Sequence, residues 1–156
     1  MELEAHVLVV STGTAASETA PAFERMWFQG NGSTQMSYID GFVIAVPNGN
    51  KQKFIEHAKQ GDSVFIENGA KRVLECWGDD VKDGKLTDFR RAVQAKDDEA
   101  VVFSWIEWPD KATRDAAMTK VMNDPRLSQQ SNPMPFDGKR MIFGGFSPVL
   151  ELGMRA

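Results

Sequence analysis

Ala100 to Trp108 reads Ala-Val-Val-Phe-Ser-Trp-Ile-Glu-Trp and decides the fold class. Val101, Phe103 and Trp105 share one parity, and Val102, Ile106 and Trp108 share the other. β-branched and aromatic residues at this density specify an extended strand, and apolar side chains on both parities specify burial on both faces. The segment therefore reads as a central strand of a sheet.

Working outward, Tyr38 to Val46 repeats the pattern: Tyr38, Phe42, Ile44 and Val46 lie on one side, and Ile39, Val43 and Ala45 on the other. Pro47, Asn48 and Gly49 end that strand. Asn50 is placed to cap a helix that runs to the Asn68-Gly69 stop, with Phe54, Ile55, Ala58 and Phe65 on its apolar face. Lys71 to Gly78, carrying Val73, Leu74, Cys76 and Trp77, is a further strand. The long connection from Gly78 to Glu99 has Phe89, Val93 and Ala95 to tack it down, as a hairpin arm or a short helix. Pro109-Asp110 opens a second long helix of about four turns, which Asp124-Pro125 closes. A last strand is expected over Arg140 to Leu150.

The order is β-α-β-β-α-β, the split βαβ arrangement that yields an α+β domain: a four-stranded antiparallel sheet with both helices on one face, ferredoxin-like. Helices on one side leave the other sheet face bare, although the strands are apolar there as well. A second copy of the sheet covers that face most simply, so a homodimer with two sheets packed face to face is expected.

Residues 1–35 differ from the rest. Ser11-Thr12-Gly13-Thr14-Ala15, Ala20-Pro21-Ala22 and Gly30-Asn31-Gly32-Ser33 are small, polar or turn-forming, with His6 to Val10 as one strand-like run. The expectation is an appended, poorly ordered extension, of upstream or artificial origin, followed by a single domain over residues 36–156. The 156 residues carry 42% hydrophobic and 26% charged side chains, an ordinary globular balance. A net charge of -4 gives no overall attraction to phosphate backbones or anionic lipid, so neither nucleic acid nor membrane is an expected partner. Cys76 is the only cysteine, which excludes an intrachain disulfide and suits a cytoplasmic setting.

Four motifs occur in order: Tyr38-Ile39-Asp40-Gly41-Phe42-Val43, Glu75-Cys76-Trp77-Gly78-Asp79-Asp80-Val81, Val101-Val102-Phe103-Ser104-Trp105, and Met134-Pro135-Phe136-Asp137-Gly138-Lys139-Arg140-Met141-Ile142. In these the chain resembles the bacterial DUF1428 family of YbaA-like proteins, across nearly all of 36–152 and none of the first 35 residues. The resemblance implies a dimeric α+β barrel of the kind used by cofactor-free monooxygenases and related small-molecule enzymes. It implies no particular reaction.

The residues themselves supply candidates. Arg114 falls on the apolar stripe of Ala117, Met118, Val121 and Met122, where a guanidinium needs a carboxylate partner or an anionic ligand. Asp40, Glu75 and Glu107 lie on strand positions beside apolar neighbours; a carboxylate in a dry cavity is poised for acid–base work, whereas one at a strand end meets water or a lysine. The expected pocket lies between sheet and helices, lined by Phe42, Trp77, Phe103 and Trp105, with Arg140 near its mouth. Arg114, Asp40 and Glu75 are its candidate catalytic groups. His57 is expected at the surface, and Cys76 as a packed thiol. No metal-ligand spacing, Walker loop, dinucleotide fingerprint or nucleophile elbow is present, and no cofactor is expected.

Two functions are compatible with these features. One is a homodimeric binder of a small anionic or aromatic molecule, with a cofactor-independent enzyme of monooxygenase or isomerase type as its catalytic version. The other is a non-catalytic regulatory or assembly protein that recruits a macromolecule with its dimer surface and the 78–99 loop. Convergence of Arg114, Asp40 and Glu75 on one apolar pocket favours the first, and their scattering favours the second.

Overall fold

The computed structural model describes residues 37–153, so the expected extension lies outside the described residues. Strands β1 (Tyr38–Pro47), β2 (Arg72–Trp77), β3 (Glu99–Trp108) and β4 (Ile142–Phe146) form one sheet in the order β2-β3-β1-β4. Every neighbouring pair is antiparallel. This is the ferredoxin-like order, with the two strands read as buried on both sides, β1 and β3, at the centre. Helix α1 (Lys51–Glu67) joins β1 to β2, and α3 (Lys111–Val121) follows β3. The short helix α2 (Phe89–Ala92) lies in the long connection before β3, with Asp88 accepting the Arg91 N–H at 2.8 Å as its N-cap.

The register sorts the strand residues by face. Phe42 lies opposite Ser104, and Ile44 opposite Val102, on the helix side, where Phe54, Ala58 and Val64 of α1 and Ala117 and Val121 of α3 complete the core. Trp108, fully buried, meets Phe65 edge-on. Gly69 ends α1 with φ +106°, a conformation other residues adopt at a cost. Gly145 lets the Tyr38 ring lie where a side chain would stand.

Several local expectations are corrected. Asn50 does not cap α1; a 3-10 turn over Asn48–Asn50 precedes the helix, and the Asn50 amide donates to the Pro135 carbonyl at 2.7 Å instead. Helix α3 has three turns rather than four, since Met122 to Asp124 leave the helix before Pro125. Strand β4 starts at Ile142 because Gly138–Arg140 forms a 3-10 turn in which Arg140 is directed to Glu99. His57 is half-buried rather than at the surface: its Nδ1 lies 2.8 Å from Asn132 Oδ1, and its ring meets Phe136 edge-on.

The second sheet face is not left wholly bare. The 78–99 connection folds back across one end of it, and Val93, which has no exposed surface, packs with Val43, Ala45 and Val101. Arg140 fastens this arrangement, reaching Glu99 at 2.6 and 2.7 Å and the Gln94 carbonyl at 2.8 Å. The other end of the face stays open.

Candidate functional site

Between helix α1 and edge strand β2 the helix-side face of the sheet stays partly open. A groove of about 580 Å³ results, walled on one side by Lys51, Ile55, Lys59, Asp62 and Ile66 of α1 and on the other by Val73, Glu75 and Trp77 of β2. Beneath α1 lies an inner cavity of about 150 Å³, bounded by Phe42, Ile44, Ser104, Ile106, Phe136 and Met141. Four residues border both spaces: Phe54, Ala58, Asp62 and Glu75. The two carboxyl groups thus flank the passage from the outer groove to the apolar interior.

Glu75 is placed there by strand alternation. The residue is solvent-exposed on this edge strand, and its carboxylate accepts the Ser104 hydroxyl at 2.8 Å from the directly opposite position on β3. Burial of the carboxyl pushes its pKa up, and the Ser104 hydrogen bond offsets this in part. Asp62 stands one turn beyond Ala58 on α1 and makes no hydrogen bond or ion pair among the described residues. Burial, and then the charge of Glu75, push its pKa up to about 7. The charge of Glu75 thus acts on Asp62, whose value near 7 suits it to accept or donate a proton at neutral pH.

Aromatic groups line the approach. Trp77 and Phe54 have ring centroids 6.2 Å apart, and Lys51 Nζ sits 5.0 Å over the Trp77 ring, a cation–π contact. Lys59 lines the groove as well. On the inner side, Phe54 packs at 6.0 Å from Phe136, whose segment is tied to α1 through His57 and Asn132.

The residues expected to form one pocket are divided among three places. Glu75 and Trp77 line the groove, and Phe42 lines the inner cavity. Phe103 and Trp105 lie on the opposite face of the sheet, because their parity on β3 is that of Val101. Arg114 and Asp40 meet each other under α3, with Arg114 Nε 3.0 Å from Oδ2 and Nη2 2.8 Å from Oδ1. Trp108 Nε1 adds a third hydrogen bond to Asp40 at 2.9 Å. Arg140 is held by Glu99 away from the groove. By the criterion set from sequence, Arg114, Asp40 and Glu75 scatter.

A different pair converges. Asp62 escaped the sequence reading although it lies eight residues after Phe54 and four after Ala58, on the same helical stripe. The reasoning applied to Arg114, that an ionisable group on an apolar stripe requires an explanation, would have found it. Glu107 sits near the strand end as expected, but its partner there, at 2.7 Å, is Arg72 rather than water or a lysine. Among the described residues no group of three or more His, Cys, Asp or Glu is placed to hold a metal ion, and no helix is long and apolar enough to cross a membrane.

The open end of the second sheet face forms a shallow apolar hollow of about 630 Å³, lined by Ile39, Val43, Phe103, Trp105, Ile142 and Phe146 among others. Phe143 beside it is 72% exposed and stacks on Phe42 with centroids 6.2 Å apart.

Comparison with known proteins places these features in context. The family described as "Protein of unknown function (DUF1428)" matches residues 37–138. The uncharacterized protein YbaA of Escherichia coli K12 is 54% identical over 116 residues, which cover 74% of this chain and 99% of that protein. YbaA of Shigella flexneri matches to the same extent. A solved structure described as a dimeric ferredoxin-like protein from an uncultured marine organism covers 75% of this chain and 99% of its own, with 11% identity and a TM-score of 0.48.

Proposed function

The chain belongs to the DUF1428 family of proteins of unknown function, and from that premise we propose that it is a homodimeric, cytoplasmic small-molecule-binding protein whose ligand site is the Asp62–Glu75 passage under α1. One observation carries this reading: two carboxyl groups converge at the junction of an open groove and an apolar cavity. Ionisable groups are costly at such a place unless a ligand or a proton uses them. A mostly apolar and aromatic inner cavity that opens onto charged groups in the groove is the usual make-up of a ligand site. In a catalytic version, Asp62 and Glu75 move a proton to or from the bound molecule, and no cofactor is required for that step.

The open hollow on the other sheet face supports the dimer. Phe103, Ile142 and Phe146 expose apolar surface there, and a contiguous exposed apolar patch marks an interaction face. The residues that line the hollow include no charged one. A two-fold axis can therefore bring two copies together without opposing like charges. The alternative, recruitment of a macromolecule by the 78–99 segment, has less support, since that segment is fastened to the sheet by Val93, Glu99 and Arg140.

Thermal melting against a set of neutral and charged single-ring compounds tests the ligand site. Compounds that bind raise the melting temperature of the native protein. Ala58→Leu, which adds bulk at the junction of groove and cavity, removes that response. No response in the native protein, or an equal response in the variant, counts against the site.

A further inference from the structure

Resting on the groove as ligand site, we infer that its occupant is a small amphiphilic amine, with the protonated nitrogen between Asp62 and Glu75 and the apolar body in the inner cavity. Three independent features of the walls select this class.

The charge of the passage comes first. Asp62 has no hydrogen-bond donor among the described residues, and Glu75 has only the Ser104 hydroxyl. A primary ammonium group offers three donors and a positive charge, which serves both carboxylates at once. A carboxylate or phosphate at the same point would oppose two acids. The guanidinium groups expected near the pocket are engaged elsewhere, Arg114 by Asp40 and Arg140 by Glu99.

The second feature is the volume and chemistry of the interior. Phe42, Ile44, Ile106, Phe136 and Met141 leave about 150 Å³, a space of the size that holds one benzene ring in an apolar protein cavity. A branched alkyl group fits it equally well.

The third feature is the aromatic wall of the groove. Trp77 already accepts a cation on its ring face, from Lys51, so the wall attracts positive charge on its way to the carboxyls. An arriving amine competes with a lysine that is free to swing away, because Lys51 is exposed.

Protons follow from this arrangement. The ionisable and hydroxyl groups that line the two spaces with Asp62 are Glu75 from β2, Lys51, Lys59 and Ser63 from α1, and, on the inner side, Ser104 from β3 and His57, and the charge of Glu75 acts on Asp62. Around neutral pH the carboxyl pair retains part of a proton, whereas an ammonium between the two groups favours both as carboxylates. Amine binding therefore releases a proton to the buffer.

Isothermal titration of the full chain at pH 7 with benzylamine, benzyl alcohol and benzoate, in two buffers of different ionisation enthalpy, tests the inference. Benzylamine is expected to bind at least about tenfold more tightly than benzyl alcohol, from charge-assisted hydrogen bonds in a partly dry site. Its apparent enthalpy should differ between buffers in the sense of proton release, and benzoate should give no measurable heat. Asp62→Asn should abolish the preference for the amine. Benzyl alcohol binding as tightly as benzylamine would overturn the amine class while leaving the cavity as a ligand site. Absence of binding by every probe would overturn both.

Discussion

Arg114 and Asp40 form a two-pronged ion pair at 2.8 and 3.0 Å, and Asp40, 3% exposed, also receives the Trp108 indole N–H. The pair joins α3 to the first central strand of the sheet. Removing the cation leaves a buried carboxylate with a single remaining donor, a change that costs roughly 3–5 kcal/mol in comparable settings. Arg114→Met should therefore be strongly destabilised in urea unfolding, with the midpoint lowered at an unchanged slope. A variant of native stability that has lost ligand binding would instead make Arg114 a ligand-binding group.

A second pair predicts how stability responds to acid. Hydrogen bonds from Arg140 hold the Glu99 carboxyl down at about 2, against an ordinary 4.5. A lowered native value means that the contribution is fully present above the ordinary value and disappears as pH falls through the native one. Arg140→Gln should consequently lower the melting temperature markedly at pH 6, with the deficit shrinking as pH approaches 2. A deficit of equal size at both pH values would show that the pair does not set the stability of the 78–99 segment.

Asp62 has the opposite sign. Its pKa is raised from 3.8 to about 7, so the native state holds that proton more tightly than the unfolded chain, and the associated stability declines as pH rises from about 4 through 7. Asp62→Asn should be more stable than the native protein at pH 8, and this advantage should narrow by pH 5. Melting curves at the two pH values check it; a variant less stable at pH 8 would place the carboxylate in a favourable, hydrogen-bonded setting.

Phe146 lies on the open hollow and is 58% exposed in the single chain. Replacing it should hardly affect the fold of one protomer, but a buried aromatic side chain at an interface contributes about 1.5–3 kcal/mol, and a carboxylate there adds a desolvation cost. Sedimentation of Phe146→Asp should show a folded monomer at concentrations where the native protein is a dimer. A native protein that sediments as a monomer at tens of micromolar would refute the face-to-face assembly.

The sequence was informative where a single periodicity governed a segment. Both central strands, the Gly69 stop of α1 and the Asp110 start of α3 were legible, because alternation and capping are local. The partners of ionisable residues were not. Arg114 is recognisable as a guanidinium that needs a partner, yet that the partner is Asp40, 74 positions away, rather than an anionic ligand depends on how α3 lies over the sheet. Phe103 and Trp105 were assigned to the helix-side pocket with Phe42 and Trp77, although strand alternation alone cannot say which parity faces the helices. Asp62 was legible by its position on the Phe54–Ala58 stripe, while its approach to Glu75 arises only once β2 is set beside α1.

The central claim is that Asp62 and Glu75 form one coupled, partly dry carboxyl pair at the entrance to a cavity. Titration of the side-chain carboxyl carbons by NMR, in the native protein and in Glu75→Gln, tests it most directly. Asp62 should titrate near 7 in the native protein and fall in the variant as the neighbouring charge is removed, while staying above the ordinary carboxylate range because burial persists. Titration of Asp62 near 4 in both proteins would contradict the account, since it would mean a carboxylate standing in water with no partner across the groove.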